Sequence, residues 1–124
     1  MEKREIKSSK EDYLEAILIQ TNHYGACRVT DVAQQMGYSK ASVSVALKKL
    51  EEEGCIVKDD WRILLTEEGK KIAEKVYEKH NFFAHWFKKI GIQEETAQKE
   101  ACMIEHVLSE ESFEKIQKYV QEHH

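Results

Sequence analysis

The pattern that most constrains this chain is a short helical stretch, the tripeptide Gly37-Tyr38-Ser39, a second helical stretch and then a hairpin. Thr30 can cap a helix from about Asp31 to Met36, Gly37 can close it, and Ser39 can cap the next, from Lys40 to about Glu52. In that second helix Val43, Ala46, Leu47 and Leu50 recur at the spacing of an inward face, while Ala41, Ser44, Val45 and Lys48 fall elsewhere, with Ser42 and Lys49 toward the side. Gly54 through Thr66 then reads as two short strands with a turn at about Asp59-Asp60. A preceding helix from about Ser9 to Asn22, facing inward through Leu14, Ile17 and Leu18, completes three helices and a hairpin. That order is a winged helix-turn-helix. Many such folds bind DNA and others bind proteins, so the fold alone does not decide the function. Small and hydroxyl residues opening the Ser39–Leu50 segment allow close approach to a surface. We expect Ser42, Ser44 and Val45 near base edges, where Val45 can meet a thymine methyl, and Lys40, Lys48, Lys49 and Arg62 mostly on phosphates, with Ser39 also among the DNA-binding residues.

Composition narrows the setting. The 124 residues suffice for one modest domain with a helical extension, and the chain is short for two independent cores. It has no apolar run of membrane-spanning length, and Met-Glu-Lys-Arg-Glu is not followed by an apolar segment, so neither a membrane span nor a secretory signal is expected and the predicted location is cytoplasmic. Cys27, Cys55 and Cys102 contain no C-x-x-C pairing, which argues against a disulfide framework and a self-contained cysteine zinc site. Net charge is −4, and neither half of the chain is a basic block. A nucleic-acid partner would therefore be met by local basic groups, helped by a dimer or bound cations.

The second half is organised by a long helix from Glu67 to Lys89 that Thr66 can cap. Gly69 stands where a capping box would carry Glu or Gln. Ile72, Val76, His80, Phe83 and Phe87 form its apolar stripe, interrupted by the histidine, and Phe82 and Trp86 widen it. So much aromatic surface on a small chain predicts a homodimer. Gly91 ends the segment, a helix is expected from about Glu94 to Leu108, and Ser109 caps a last helix lined by Phe113, Ile116 and Val120. The tail with His123 and His124 is expected to fray.

Within Glu100-Ala-Cys-Met-Ile-Glu-His106, the side chains of Cys102, Glu105 and His106 share one helical face, roughly opposite Ala97, Ala101, Ile104 and Leu108. Asp12 and Glu15 lie three residues apart on the first helix. Thiolate, imidazole and carboxylate together suit a divalent transition ion better than calcium or magnesium. Each residue also has a plainer reading: a buried cysteine, a core histidine with satisfied ring nitrogens, acidic residues favouring a helix dipole.

Glu11-Asp12-Tyr13-Leu14, Ser39 through Leu50, Leu65-Thr66-Glu67-Glu68-Gly69-Lys70, Lys79-His80 and Glu100 through Ser109 together resemble the metal-dependent repressors related to the diphtheria toxin repressor and the manganese transport regulator. The resemblance spans about residue 8 to 121. It implies a mainly α fold and a homodimer: residues 1–66 a winged helix-turn-helix DNA-binding domain, 67–124 a helical dimerisation and metal-binding domain. The chain ends before the SH3-like domain of larger members could occur. The resemblance further implies a metal site from Asp12, Glu15, His80, Cys102, Glu105 and His106. Asp12 and Glu15 resemble the manganese-type members, whereas Cys102 matches the iron type. The expected ion is thus Mn(II) or Fe(II), with Zn(II), Co(II) and Ni(II) able to compete. Ala84 and Gln98 stand near positions that supply ancillary ligands in the iron type, so that second site is incomplete here. Val45 replaces a residue that is usually polar in the family. The expected function is a divalent-metal-activated repressor controlling manganese or iron homeostasis, acting on a pseudopalindromic double-stranded operator. The alternative is a metal-independent winged-helix module for DNA or protein partners. No nucleophile or acid/base constellation supports an enzyme.

Overall fold

The computed structural model describes residues 3–123, with side chains from Lys10 onward; His124 and the first two residues of the expected N-terminal arm lie outside the described residues. Two compact units divide between Lys75 and Val76, inside the long helix. None of the described helices is long and apolar enough to cross a membrane.

The first unit contains α1 (Lys3–Tyr24), α2 (Val29–Met36), α3 (Lys40–Glu52), β1 (Ile56–Asp59), β2 (Arg62–Leu65) and the start of α4 (Glu67–Lys89). α1 begins at Lys3 where a polar arm had been expected, because residues 3–9 contain no Gly or Pro to break the hydrogen-bond ladder. Its Tyr13, Leu14, Ala16, Ile17 and Leu18 are buried together with Val32 and Ala33 of α2, Val43, Leu47 and Leu50 of α3, and Ile63 of β2. α2 starts at Val29, earlier than a Thr30 cap allows, and the Asp31 carboxylate instead accepts the Arg28 backbone N–H at 2.9 Å. Gly37 closes α2 at φ 75°, a left-handed conformation that other residues adopt at a cost, and its N–H donates to Ala33 O at 2.9 Å. Ser39 caps α3 by accepting the Ser42 N–H at 3.1 Å.

The hairpin is antiparallel, with Ile56 opposite Leu65 and Asp59 opposite Arg62. Its turn is Asp60-Trp61, one residue later than the sequence suggested, and Asp60 takes the left-handed conformation at φ 62°. The cross-strand pairing of Asp59 with Arg62, reinforced by their ion pair, moves the turn forward. Ile63 N–H donates to Cys27 O at 2.8 Å, so the wing is tied to the loop between α1 and α2. Thr66 caps α4 by accepting the Gly69 N–H at 3.1 Å.

The second unit comprises the rest of α4, α5 (Glu94–Ile104) and α6 (Glu110–His123). Phe83, Ala84, Ala101 and Phe113 form its buried core, with Phe82, Trp86, Phe87, Ile104, Leu108 and Ile116 packed around it. The rings of Phe82 and Phe83 meet Phe113 at centroid distances of 5.6 and 5.9 Å. Much of the aromatic face from which a dimer was argued is therefore covered within one chain, by the apolar face of α6. α5 stops at Ile104 rather than Leu108: Val107 N–H turns back to Ile104 O at 3.1 Å, an i→i+3 bond that tightens the chain ahead of the Ser109 cap of α6. α6 continues to His123, whose ring stacks on Tyr119 at 3.9 Å and whose Nδ1 lies 3.0 Å from Tyr119 O, so the expected fraying stops short of it.

Candidate metal centre and nucleic-acid interface

In the second unit the last turn of α5 and the tightened residues beyond it gather donors. Cys102, Glu105 and His106 each offer a ligand atom within 4.8 Å of the others, and His80 of α4 does so with Glu105. Although α5 ends before Glu105, that residue keeps helical dihedrals and its N–H still bonds Ala101 O at 3.1 Å, so the expected shared face survives. Lys79 Nζ donates to Leu108 O at 3.3 Å and pairs with Glu110 at 3.7 Å, anchoring the segment after the donors to α4.

Glu105 is the electrostatic centre. Its side chain has no exposure; Oε1 lies 3.1 Å from His80 Nδ1 and Oε2 lies 3.2 Å from His106 Nε2. A buried carboxylate costs several kcal/mol unless its charge is compensated and its lone pairs are used. Yet Oε2 has no hydrogen bond, because the His106 nitrogen approaches it without hydrogen-bond alignment. An orphaned buried oxygen beside two imidazoles and a half-buried thiol is the donor set a divalent transition ion requires. These residues fit a metal.

In the first unit, Asp12 and Glu15 stand on α1 three residues apart; Asp12 is half-buried and Glu15 is buried at 7% exposure. A strictly amphipathic helix would set both carboxylates on a different side from Leu14, Ile17 and Leu18. Burial instead extends almost continuously over residues 13–18 and takes Glu15 with it. The prospective DNA face lies on α3 and the wing. Lys40, Ser42, Ser44, Lys48 and Lys49 are exposed, and Val45 is 73% exposed. Ser39 is also exposed, but its hydroxyl is engaged, capping α3 and donating to Ser42 Oγ at 3.1 Å. Arg62 pairs with Asp59 across the wing turn.

Residues 5–60 match the family described as iron dependent repressor, N-terminal DNA binding domain, and residues 66–124 match iron dependent repressor, metal binding and dimerisation domain. The chain is 32% identical to the transcriptional regulator MntR of Escherichia coli O6:H1 over 114 residues, 91% of this chain and 74% of that one. It belongs to the MntR/DtxR family of metal-dependent transcriptional repressors. Two solved relatives share the fold at 28% identity: the metal-dependent transcriptional regulator MtsR, with a TM-score of 0.81, and the manganese regulator SloR, with 0.78. Each match covers 90% of this chain and 53% of the relative, so the chain spans about half the length of those two proteins. As a family member it is a metal-activated DNA-binding repressor with a winged helix-turn-helix followed by a helical dimerisation domain; it is not an enzyme, and the family binds DNA as homodimers.

The sequence reading did not identify Gln98 as a partner of His80, nor Glu94 behind it. Gln98 Oε1 lies 2.7 Å from His80 Nε2, and Gln98 Nε2 donates to Glu94 Oε2 at 3.3 Å. The available signal was the histidine inside an apolar stripe, which needs partners for both ring nitrogens; nothing local said which residues supply them.

Proposed function

We propose that Mn(II) or Fe(II) activates this repressor and that Asp12 and Glu15 join His80, Cys102, Glu105 and His106 as donors, in control of manganese or iron homeostasis. The observation that carries the reading is the orphaned Glu105 oxygen held among two imidazoles and a thiol. A metal-independent winged helix gains nothing from burying a carboxylate oxygen without a hydrogen bond. Carboxylates keep the site tolerant of Mn(II), while the Cys102 thiolate raises affinity for Fe(II) and admits Zn(II), Co(II) and Ni(II). The α1 carboxylates are supported by their i, i+3 spacing and by family membership. Donors contributed from both α1 and the helical domain would bias the chain toward one DNA-competent arrangement, and that bias is what activation requires, since affinity alone shifts no equilibrium.

On DNA, the exposed Val45 with Ser42 and Ser44 reads base edges and Lys40, Lys48, Lys49 and Arg62 hold phosphates, with Ser39 contributing at the helix start. We take residues 1–66 as the DNA-binding part and 67–124 as the dimerising part. Two copies related by a two-fold axis then imply a pseudopalindromic operator. The test titrates metal-free protein with single divalent ions while following binding to the DNA upstream of its own gene, for wild type and Asp12→Ala. Wild-type affinity should rise with Mn(II) or Fe(II), and Asp12→Ala should lose most of that rise. Undiminished metal affinity and operator binding in the variant would remove Asp12 from the mechanism.

A further inference from the structure

We propose that Gln98, itself set by Glu94, is a positioning residue that holds His80 in the tautomer presenting Nδ1 to the metal; this rests on the reading of His80 as a ligand. The amide orientation comes first. Gln98 Nε2 faces Glu94 Oε2 at 3.3 Å, and a carboxylate only accepts, so the amide nitrogen belongs on that side and Oε1 on the other. Oε1 is the atom 2.7 Å from His80 Nε2, and an amide oxygen can only accept from that nitrogen. Nε2 therefore carries hydrogen, and Nδ1 is the ring atom left with a lone pair in the neutral imidazole.

Nδ1 faces Glu105 Oε1 at 3.1 Å. With Nε2 committed as donor, two acceptors confront each other there, and a positive charge has to lie between them. A divalent ion held by Nδ1 and the Glu105 carboxylate would supply that charge while the Nε2 hydrogen stays directed at Gln98. Glu94 also pairs with Lys88 at 3.3 Å, so the chain Lys88, Glu94, Gln98, His80, Glu105 runs from an exposed ammonium to a buried carboxylate within one unit. Glu94 and Gln98 sit at i and i+4 on α5, one turn apart, and the Gln98 amide reaches His80 of α4. The residue that breaks the ancillary-ligand pattern thus takes the outer hydrogen bond that metal-ligating histidines ordinarily donate to a carboxylate, carbonyl or water.

The experiment loads the full chain, labelled with ¹⁵N-histidine, with Zn(II), and reads the ring nitrogens of His80 by long-range ¹H–¹⁵N correlation. Nε2 is identified by its coupling to both carbon-bound ring protons. We expect Nδ1 to move on loading and Nε2 to keep the signature of a protonated nitrogen. In Gln98→Leu that signature should be lost and Zn(II) affinity should fall about 10- to 100-fold. The double exchange Glu94→Gln with Gln98→Glu returns an acceptor to His80 and a donor to its neighbour, and should recover most of the affinity and the Nε2 signature. Zn(II) on Nε2, or a folded Gln98→Leu that keeps both signature and affinity, overturns the positioning role while leaving His80 a ligand. No change at either His80 nitrogen on loading overturns the ligand assignment itself. Should Gln98→Leu fail to fold, the double exchange decides: retention of Nε2–H and affinity supports the role, and loss refutes it.

Discussion

Replacing Gly69 by alanine sets two effects against each other, and the structure says which wins. Gly69 lies in the first turn of α4, where alanine improves helix propensity by about 0.8–1.0 kcal/mol at most. A Cβ built there, however, falls 2.0 Å from Cys55 O and 2.9 Å from Cys55 C, both backbone atoms. Relieving that overlap means moving the chain by roughly 1 Å or more, which overpacking studies put at about 1–3 kcal/mol. The oxygen is not free to retreat, because it accepts the Thr66 N–H at 3.0 Å, a bond worth about 1 kcal/mol. Thr66 in turn caps the helix through Gly69 N–H and donates from Oγ1 to Gly54 O at 2.6 Å, so displacement spreads to the base of the wing. Gly69→Ala should be net destabilising by about 1–3 kcal/mol. Urea unfolding of the metal-free protein should show a lower midpoint at unchanged slope. A midpoint equal to or above wild type would refute the close-approach argument and leave propensity in charge.

Phe113→Ala removes the ring against which Phe82 and Phe83 pack and should cost about 3–5 kcal/mol, read by denaturant unfolding; a loss below about 1 kcal/mol would mean the second unit's core lies elsewhere. Lys48→Ala should weaken operator and random DNA alike and reduce the salt slope by about 1, and an unchanged slope across a salt series would remove Lys48 from the phosphate contacts. Burial pushes the Cys27 thiol up to about 12 from the ordinary 9.0. The folded state thus holds this proton more tightly than the unfolded state, so the associated stability is complete below about pH 9 and is lost as pH rises toward 12, at about 1.4 kcal/mol per unit. Cys27→Ala should flatten that alkaline limb of the stability curve, and an identical limb in the variant would exclude Cys27 as its source.

What could be read from the chain alone was what neighbours in sequence decide. Ser39, Thr66 and Ser109 cap helices because each hydroxyl reaches an N–H three residues on, and Gly37 ends α2 because its own φ can turn positive. The bounds of α3 and α4 and the shared face of Cys102, Glu105 and His106 follow from the same local periodicity. Tertiary structure decided whatever depends on a residue distant in the chain. Gly69 looked like a missing capping-box residue until the Cys55 carbonyl filled the space beside it. Phe83 read as part of an exposed aromatic face until Phe113, thirty residues on, packed against it, with Phe82 left half-buried at its edge. Gln98 read as a lost ligand until it met Nε2 of His80. Periodicity places a side chain on a face of its own helix; what covers that face, and which polar atoms are buried without a hydrogen bond, is set by contacts between elements, and at Glu105 those contacts hold a buried carboxylate between two imidazoles.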